Sequence, residues 1–240
     1  MNILAMDTSG PVAGVAVMAQ GKIVYEGAAV NRMTHSVNLI PMVEEALTRS
    51  GIDVASIDLF AAVTGPGSFT GVRIGVSTVK GMAHGADKPC IGIDALEALA
   101  AGMSAIPSDG GILCPIQDAR AGQVYGAAFS AGMPPLRLIA NQAAKLPDFV
   151  EQVTSLCAQD TKLYFAGDGA PVHREALTEL LGERACFMPA HLSFLRPASV
   201  VALADVYADR AVDYLSLAPR YLRAPQAERE RAARLKGQTV

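Results

Sequence analysis

The sequence predicts an α/β protein made of two successive halves, each opening on paired strands. Three observations carry that reading. Short β-prone runs alternate with longer stretches whose apolar residues recur at three- and four-residue steps. Glycine, proline and asparagine-type turn chemistry separates them. A seam at Ser108-Asp109-Gly110-Gly111 precedes a second series of strand-like runs.

In order, Asn2–Asp7 and residues 12–18 are two β-prone runs parted by Thr8-Ser9-Gly10-Pro11, and Lys22–Ala29 follows the Gln20-Gly21 turn, so the chain opens as an antiparallel meander. Over residues 36–50 the apolar side chains Val37, Leu39, Ile40, Met42, Val43, Ala46 and Leu47 keep a helical period over a wide arc, and Gly51 supplies the stop. Residues 59–64 read as a buried strand. A glycine-rich turn leads to a helix over 70–85, a strand over 89–93 and a helix over 94–104. Past the seam, 112–117, Gln123–Ser130 and 162–166 read as strands and 198–212 as a helix. Pro219-Arg220-Tyr221-Leu222-Arg223 is extended, because proline disfavours helix in the residue before it, and Glu228-Arg229-Glu230-Arg231 opens a charged tail.

With 240 residues, 51% of them apolar, the chain can bury a substantial core. Lys and Arg total 20 against 23 Asp and Glu, so no global positive field draws it onto nucleic acid or an anionic membrane. Arg220, Arg223, Arg229, Arg231 and Arg234 form at most a local basic strip, for which a solvated tail is the simpler account. Cys90, Cys114, Cys157 and Cys186 are widely spaced without a CxxC pair, the pattern of reduced, buried thiols. No apolar run approaches the ~18 residues of a membrane span, and the start lacks the basic and apolar regions of a signal peptide. A cytoplasmic protein is expected.

The densest motif is Thr64-Gly65-Pro66-Gly67-Ser68-Phe69-Thr70-Gly71-Val72-Arg73-Ile74-Gly75, a strand-to-helix turn. Its glycines fit a phosphate cradle and a tight-packing turn equally, and no Gly-Lys-Ser/Thr closes it as a Walker A loop. Gly71, Gly75, Thr78 and Met82 share one face of the following helix, where missing side chains allow another backbone to approach. That neighbour is either within the chain or a partner helix. Asp7-Thr8-Ser9 ends the first strand, as ordinary turn chemistry or as an approach to a metal-bound phosphate. Asp118-Ala119-Arg120 is a hairpin turn that also presents charge, and Gly167-Asp168-Gly169 is a turn first. His35, His84, His173 and His191 show no metal-binding spacing, and no GxSxG elbow appears. His35 suits a cap or an interface better than catalysis.

These pieces in this order resemble the TsaB (formerly YeaZ) family of the actin-like ATPase (ASKHA) superfamily. The resemblance rests on Ile3 through Ser9, on His35 with Leu39-Ile40-Pro41 and Leu47, on Gly65 through Gly75 followed by Lys80-Gly81, on Asp118-Ala119-Arg120 with Val124-Tyr125, and on Pro219 through Arg223. It implies two actin-like, ribonuclease H-like subdomains of mixed sheets flanked by helices: residues 1–106 joined by 197–223, then 107–196, with 224–240 a tail. It implies a non-catalytic partner of the transferase TsaD in forming N6-threonylcarbamoyladenosine (t6A) at position 37 of ANN-decoding tRNAs. TsaE, an ATPase, would join, and a homodimer would use the same surface as TsaD: His35, Leu39, Ile40, Val43, Leu47, Gly71, Val72, Gly75, Thr78 and Met82. tRNA would be contacted indirectly and no membrane would be involved. No cofactor is required by the chain alone, with ADP or ATP possible in the complex. Contacts to such a phosphate would come from Asp7, Thr8, Ser9, Gly65, Gly67, Ser68, Asp118 and Arg120. The metal-binding histidines of the catalytic paralogue are replaced nearby by Glu97, Ala98 and Ala101, which implies no activity and no metal. The alternatives are an autonomous ATP-dependent enzyme or an M22-type peptidase-like protein.

Overall fold

Residues 3–7 and 59–65 are buried along their whole length, and their successive side chains pack to opposite faces, which dictates the layers. A computed structural model describes residues 1–30, 35–105 and 109–223. The elements are β1 (Asn2–Asp7), β2 (Ala13–Ala19), β3 (Lys22–Ala29), α1 (His35–Ser50), β4 (Leu59–Gly65), α2 (Phe69–Ala86), β5 (Cys90–Asp94) and α3 (Ala95–Met103). After them come β6 (Ile112–Arg120), β7 (Gln123–Ser130), β8 (Leu136–Lys145), α4 (Leu146–Thr154), β9 (Leu163–Ala166), α5 (Gly169–Val172), α6 (Arg174–Leu181), β10 (Ala185–Phe187) and α7 (Pro197–Val206). They form two five-stranded mixed sheets, β3-β2-β1-β4-β5 and β10-β9-β6-β7-β8. Taken from the other edge, the second repeats the first: an antiparallel meander whose first strand pairs in parallel with the next crossover strand.

On the first sheet Leu4, Met6, Phe60 and Ala62 point to a cluster holding Leu39 and Val43 of α1 and Val72, Val76 and Val79 of α2. Their neighbours Ile3, Ala5, Ala61 and Val63 point the opposite way, to α3 and α7. Leu113, Ala127 and Phe129 of the second sheet join that same cluster, so α3 and α7 lie in a shared layer between the sheets. Cys114, Ile116 and Phe165 face outward to α4 and α6. The core is thus continuous from one sheet to the other, and each fully buried Leu, Ile or Phe contributes about 2 kcal/mol.

Two expectations change, and one falls where the structure is silent. The helix expected over 198–212 stops at Val206, because residues beyond it turn back so that Val212 and Cys90 exchange two backbone hydrogen bonds of 2.8 Å. The span 133–196, in which only one strand was expected, holds β8, β10, α4, α5 and α6 as well. Ser108 of the seam, Arg229, Arg231, Arg234 and the whole 224–240 tail lie outside the described residues.

Glu26 of β3 ties α7 to the first sheet, accepting from both Arg196 Nε (3.0 Å) and the Ala198 amide (3.1 Å). Despite burial, these partners hold its carboxyl below the ordinary glutamate value. A lowered carboxyl stabilises the fold above its unfolded-state pKa, and that contribution is lost as pH falls through the folded one. Glu26→Ala is therefore expected to cost about 2 kcal/mol in urea unfolding at pH 7 and progressively less below pH ~4.5. An equal loss at pH 3 would exclude the charge as the cause.

Candidate functional site

The carboxyl ends of β1 and β4 face those of β6 and β9 across a cleft of about 470 Å³. In open α/β sheets this is where ligands collect, because loops, and not strands, line the opening. The first sheet contributes Ser9 to Pro11 and Pro66 to Phe69, the second contributes Gln117 to Arg120, Tyr125 and Asp168, and the C-terminal segment Arg220 to Arg223 closes one side.

The glycine-rich turn is clamped onto the first strand's end. Gly65 (φ +119°) lies under the Arg220 carbonyl and Gly67 (φ +153°) against the Ser9 carbonyl, and a Cβ at either would sit within 2.5 Å of that oxygen. Ser68 donates its amide to Ser9 O (2.7 Å) and caps α2, its Oγ accepting from the Gly71 amide (3.2 Å). Two amides that a phosphate cradle would need are thus engaged within the chain, and close packing accounts for the motif.

Gly71 and Gly75 have the same explanation. A Cβ on Gly71 would lie 2.0 Å from Thr8 O, and one on Gly75 2.7 Å from Thr8 Oγ1, which itself donates to Gly71 O (2.7 Å). The close neighbour is Thr8, not a partner helix. Leu39, Val43 and Val72 are likewise core residues, each at most 3% exposed. These five cannot form a contact surface. Of the remaining expected interface residues, Ile40 is exposed at 46%, whereas His35, Leu47, Thr78 and Met82 are half-buried. His35 opens α1, and its Nε2 donates to Gly10 O (2.8 Å), pinning the β1–β2 turn.

At the cleft floor Asp7 is buried and accepts from the Ser9 amide (2.8 Å). Burial outweighs that bond and lifts its pKa to about 6. Burial also raises Asp168, which lines the same floor. Asp118 faces His173 Nε2 at 3.7 Å and accepts from the Arg120 amide (2.9 Å), while Arg120 itself is exposed at φ +64°. Ser9 Oγ and Gln117 Oε1 are buried without a hydrogen-bond partner among the described residues. Among those residues no group of three or more His, Cys, Asp or Glu is placed to hold a metal, and no helix is long and apolar enough to cross a membrane.

The C-terminal segment is the part of the site that residue patterns missed. Arg220 donates its amide to Thr64 O (2.7 Å), Tyr221 stacks on Phe69 with centroids 4.8 Å apart, and Arg223 Nη1 reaches Ala119 O across the cleft (3.3 Å). Its extended conformation was legible from Pro219, but its contacts with residues more than 100 positions earlier were not.

Comparison with known proteins fits this geometry. The family model of TsaD, tRNA N6-adenosine threonylcarbamoyltransferase, matches residues 29–231. The tRNA threonylcarbamoyladenosine biosynthesis protein TsaB of Bacillus subtilis is 31% identical over 229 residues, covering 95% of this chain and 96% of its own. The chain belongs to the TsaB family. A solved structure of YeaZ from Pseudomonas aeruginosa superposes with a TM-score of 0.75 at 26% identity, over 92% of this chain and 99% of that one. By contrast, the tRNA N6-adenosine threonylcarbamoyltransferase of Sphingopyxis alaskensis matches at 42% over only 77 residues, 32% of this chain and 22% of that enzyme. The two-sheet architecture of this TsaB-family chain is accordingly that of the YeaZ structure.

Proposed function

We propose that this TsaB-family chain acts in t6A formation on tRNA as a non-catalytic partner of a TsaD-type transferase, docking it, or a second copy of itself, along α1 and α2. A TsaE-type ATPase joins that assembly, and the chain alone requires no cofactor. The docking unit in this reading is residues 1–106 with 197–223. The observation that carries it is a pair of glycines in the second half of α2, Gly81 in the helix body and Gly85 in its last turn. Gly81 and Gly85 of α2 meet nothing within 4 Å, unlike Gly71 and Gly75. A glycine inside a helix costs about 1 kcal/mol relative to Ala, and no neighbour among the described residues accounts for these two. They continue the face of Ile74, Thr78 and Met82, and α1, which packs against α2, exposes Val37 (53%) and Ile40 (46%). Open backbone beside exposed aliphatic side chains is the composition of a close helix–helix contact.

Gly81→Arg tests this without touching the core, because its side chain enters open space. With a purified TsaD-type partner, the variant is expected to keep the wild-type melting temperature while losing co-elution on a sizing column and about 90% or more of partner-dependent tRNA modification. Undiminished co-elution would sink the proposal. Gly75→Arg is no substitute, since it would collide with Thr8 and unfold the protein.

A further inference from the structure

The cleft mouth carries a charge pattern that the docking surface does not use. Arg73, Arg120, Arg220 and Arg223 come from α2, the end of β6 and the C-terminal segment, and none makes an ion pair among the described residues. Between them lies an aromatic platform. Phe69 and Tyr221 stack on each other, the Arg73 guanidinium lies 3.9 Å over the Phe69 ring and donates to the Tyr221 hydroxyl (2.9 Å), and Tyr125 lines the opposite wall.

We propose that this mouth holds single-stranded RNA, with phosphodiesters on the arginines and one base against the Phe69–Tyr221 pair. Guanidinium groups spread along a groove beside aromatic faces are the ordinary equipment for an unpaired strand, whose bases stack without regard to sequence. The overall charge of −3 does not oppose it, because the field that matters is local. The acidic groups of the floor lie deeper than these arginines: Asp7 is buried, Asp118 lies 3.7 Å from His173 Nε2, and burial raises the pKa of both Asp7 and Asp168. A free nucleoside triphosphate fits less well, since the Ser68 and Gly71 amides are already engaged. The inference deepens the t6A reading by giving this chain its own contact with the RNA substrate.

The test is fluorescence anisotropy of the full chain with a labelled oligouridine of about twelve nucleotides, within the span that one single-strand groove covers. Roughly four phosphate contacts on a single strand give a log–log salt slope near −3, so affinity should fall roughly 50-fold between about 50 and 200 mM salt. Arg120→Gln with Arg220→Gln removes two of the four arginine charges and should roughly halve that slope and weaken binding about tenfold or more at the lower salt. Millimolar ATP with magnesium should not displace the oligonucleotide. No binding at about 50 mM salt, an unchanged slope in the double variant, or full displacement by ATP would each overturn the proposal. Co-elution with the TsaD-type partner, read on the same variant, separates the two ideas: RNA binding lost with co-elution kept bears on the mouth alone, whereas Gly81→Arg bears on docking alone.

Discussion

Asp7→Asn is expected to stabilise the isolated protein by about 2–3 kcal/mol at pH 8, and by nothing measurable near pH 4. Asp7 is buried at the end of β1, and burial lifts its pKa from 3.8 to about 6 in the folded state. A carboxyl whose folded pKa is raised favours folding below its unfolded value, and that advantage is lost as pH rises through the folded one. Between pH ~4 and ~6 the native protein therefore takes on a growing ionisation penalty, near 3 kcal/mol once complete at about 1.36 kcal/mol per unit. Asparagine cannot ionise, and its oxygen can still accept from the Ser9 amide. Urea titrations of both proteins across pH 4 to 8 should give curves that coincide in acid and diverge upward for the variant. A D7N variant no more stable than the wild type at pH 8 would show that the carboxylate is compensated within the fold. A destabilising charge kept at the floor of a cleft is the usual mark of a group retained for what it contacts.

Gly71→Ala carries the largest expected loss, about 3 kcal/mol or more, because one methyl group would have to sit 2.0 Å from the Thr8 carbonyl. Neither side can yield easily: Thr8 follows the central strand and Gly71 lies in the first turn of α2, held by the Ser68 cap. Thermal unfolding of Gly71→Ala beside Gly81→Ala makes the contrast. The second should melt slightly higher, since an open helical site gains about 1 kcal/mol on exchanging Gly for Ala. Equal behaviour of the two would mean that α2 does not approach β1 as described.

Much of the first half was legible. Short unbroken apolar runs in β1 and β4, helical spacing in α1 and α2, and the punctuation at Gln20-Gly21 and Gly51 are local signals, so elements formed by local preference could be placed within a residue or two. The second half was less so. β8 reads Leu136-Arg137-Leu138-Ile139-Ala140, with Leu136 67% exposed and Arg137 laid over Phe129, so its apolar order does not announce an edge strand. β10 is a short strand that exists through its pairing with β9.

The site divides in the same way. By itself, the sequence determined the family, the α/β class and the presence of a strained glycine turn, because these rest on residue order and on conformations that few residue types adopt. Whether that strain served a ligand, a partner or the chain itself depended on which atom lay opposite each missing Cβ. Only the tertiary structure decided that, by setting Thr8 against Gly71 and Gly75, leaving Gly81 and Gly85 open, and bringing Arg220 to Arg223 across to Thr64 and Ala119. Contacts between residues so far apart in sequence leave no periodic trace in the chain, since what fixes them is the packing of whole layers.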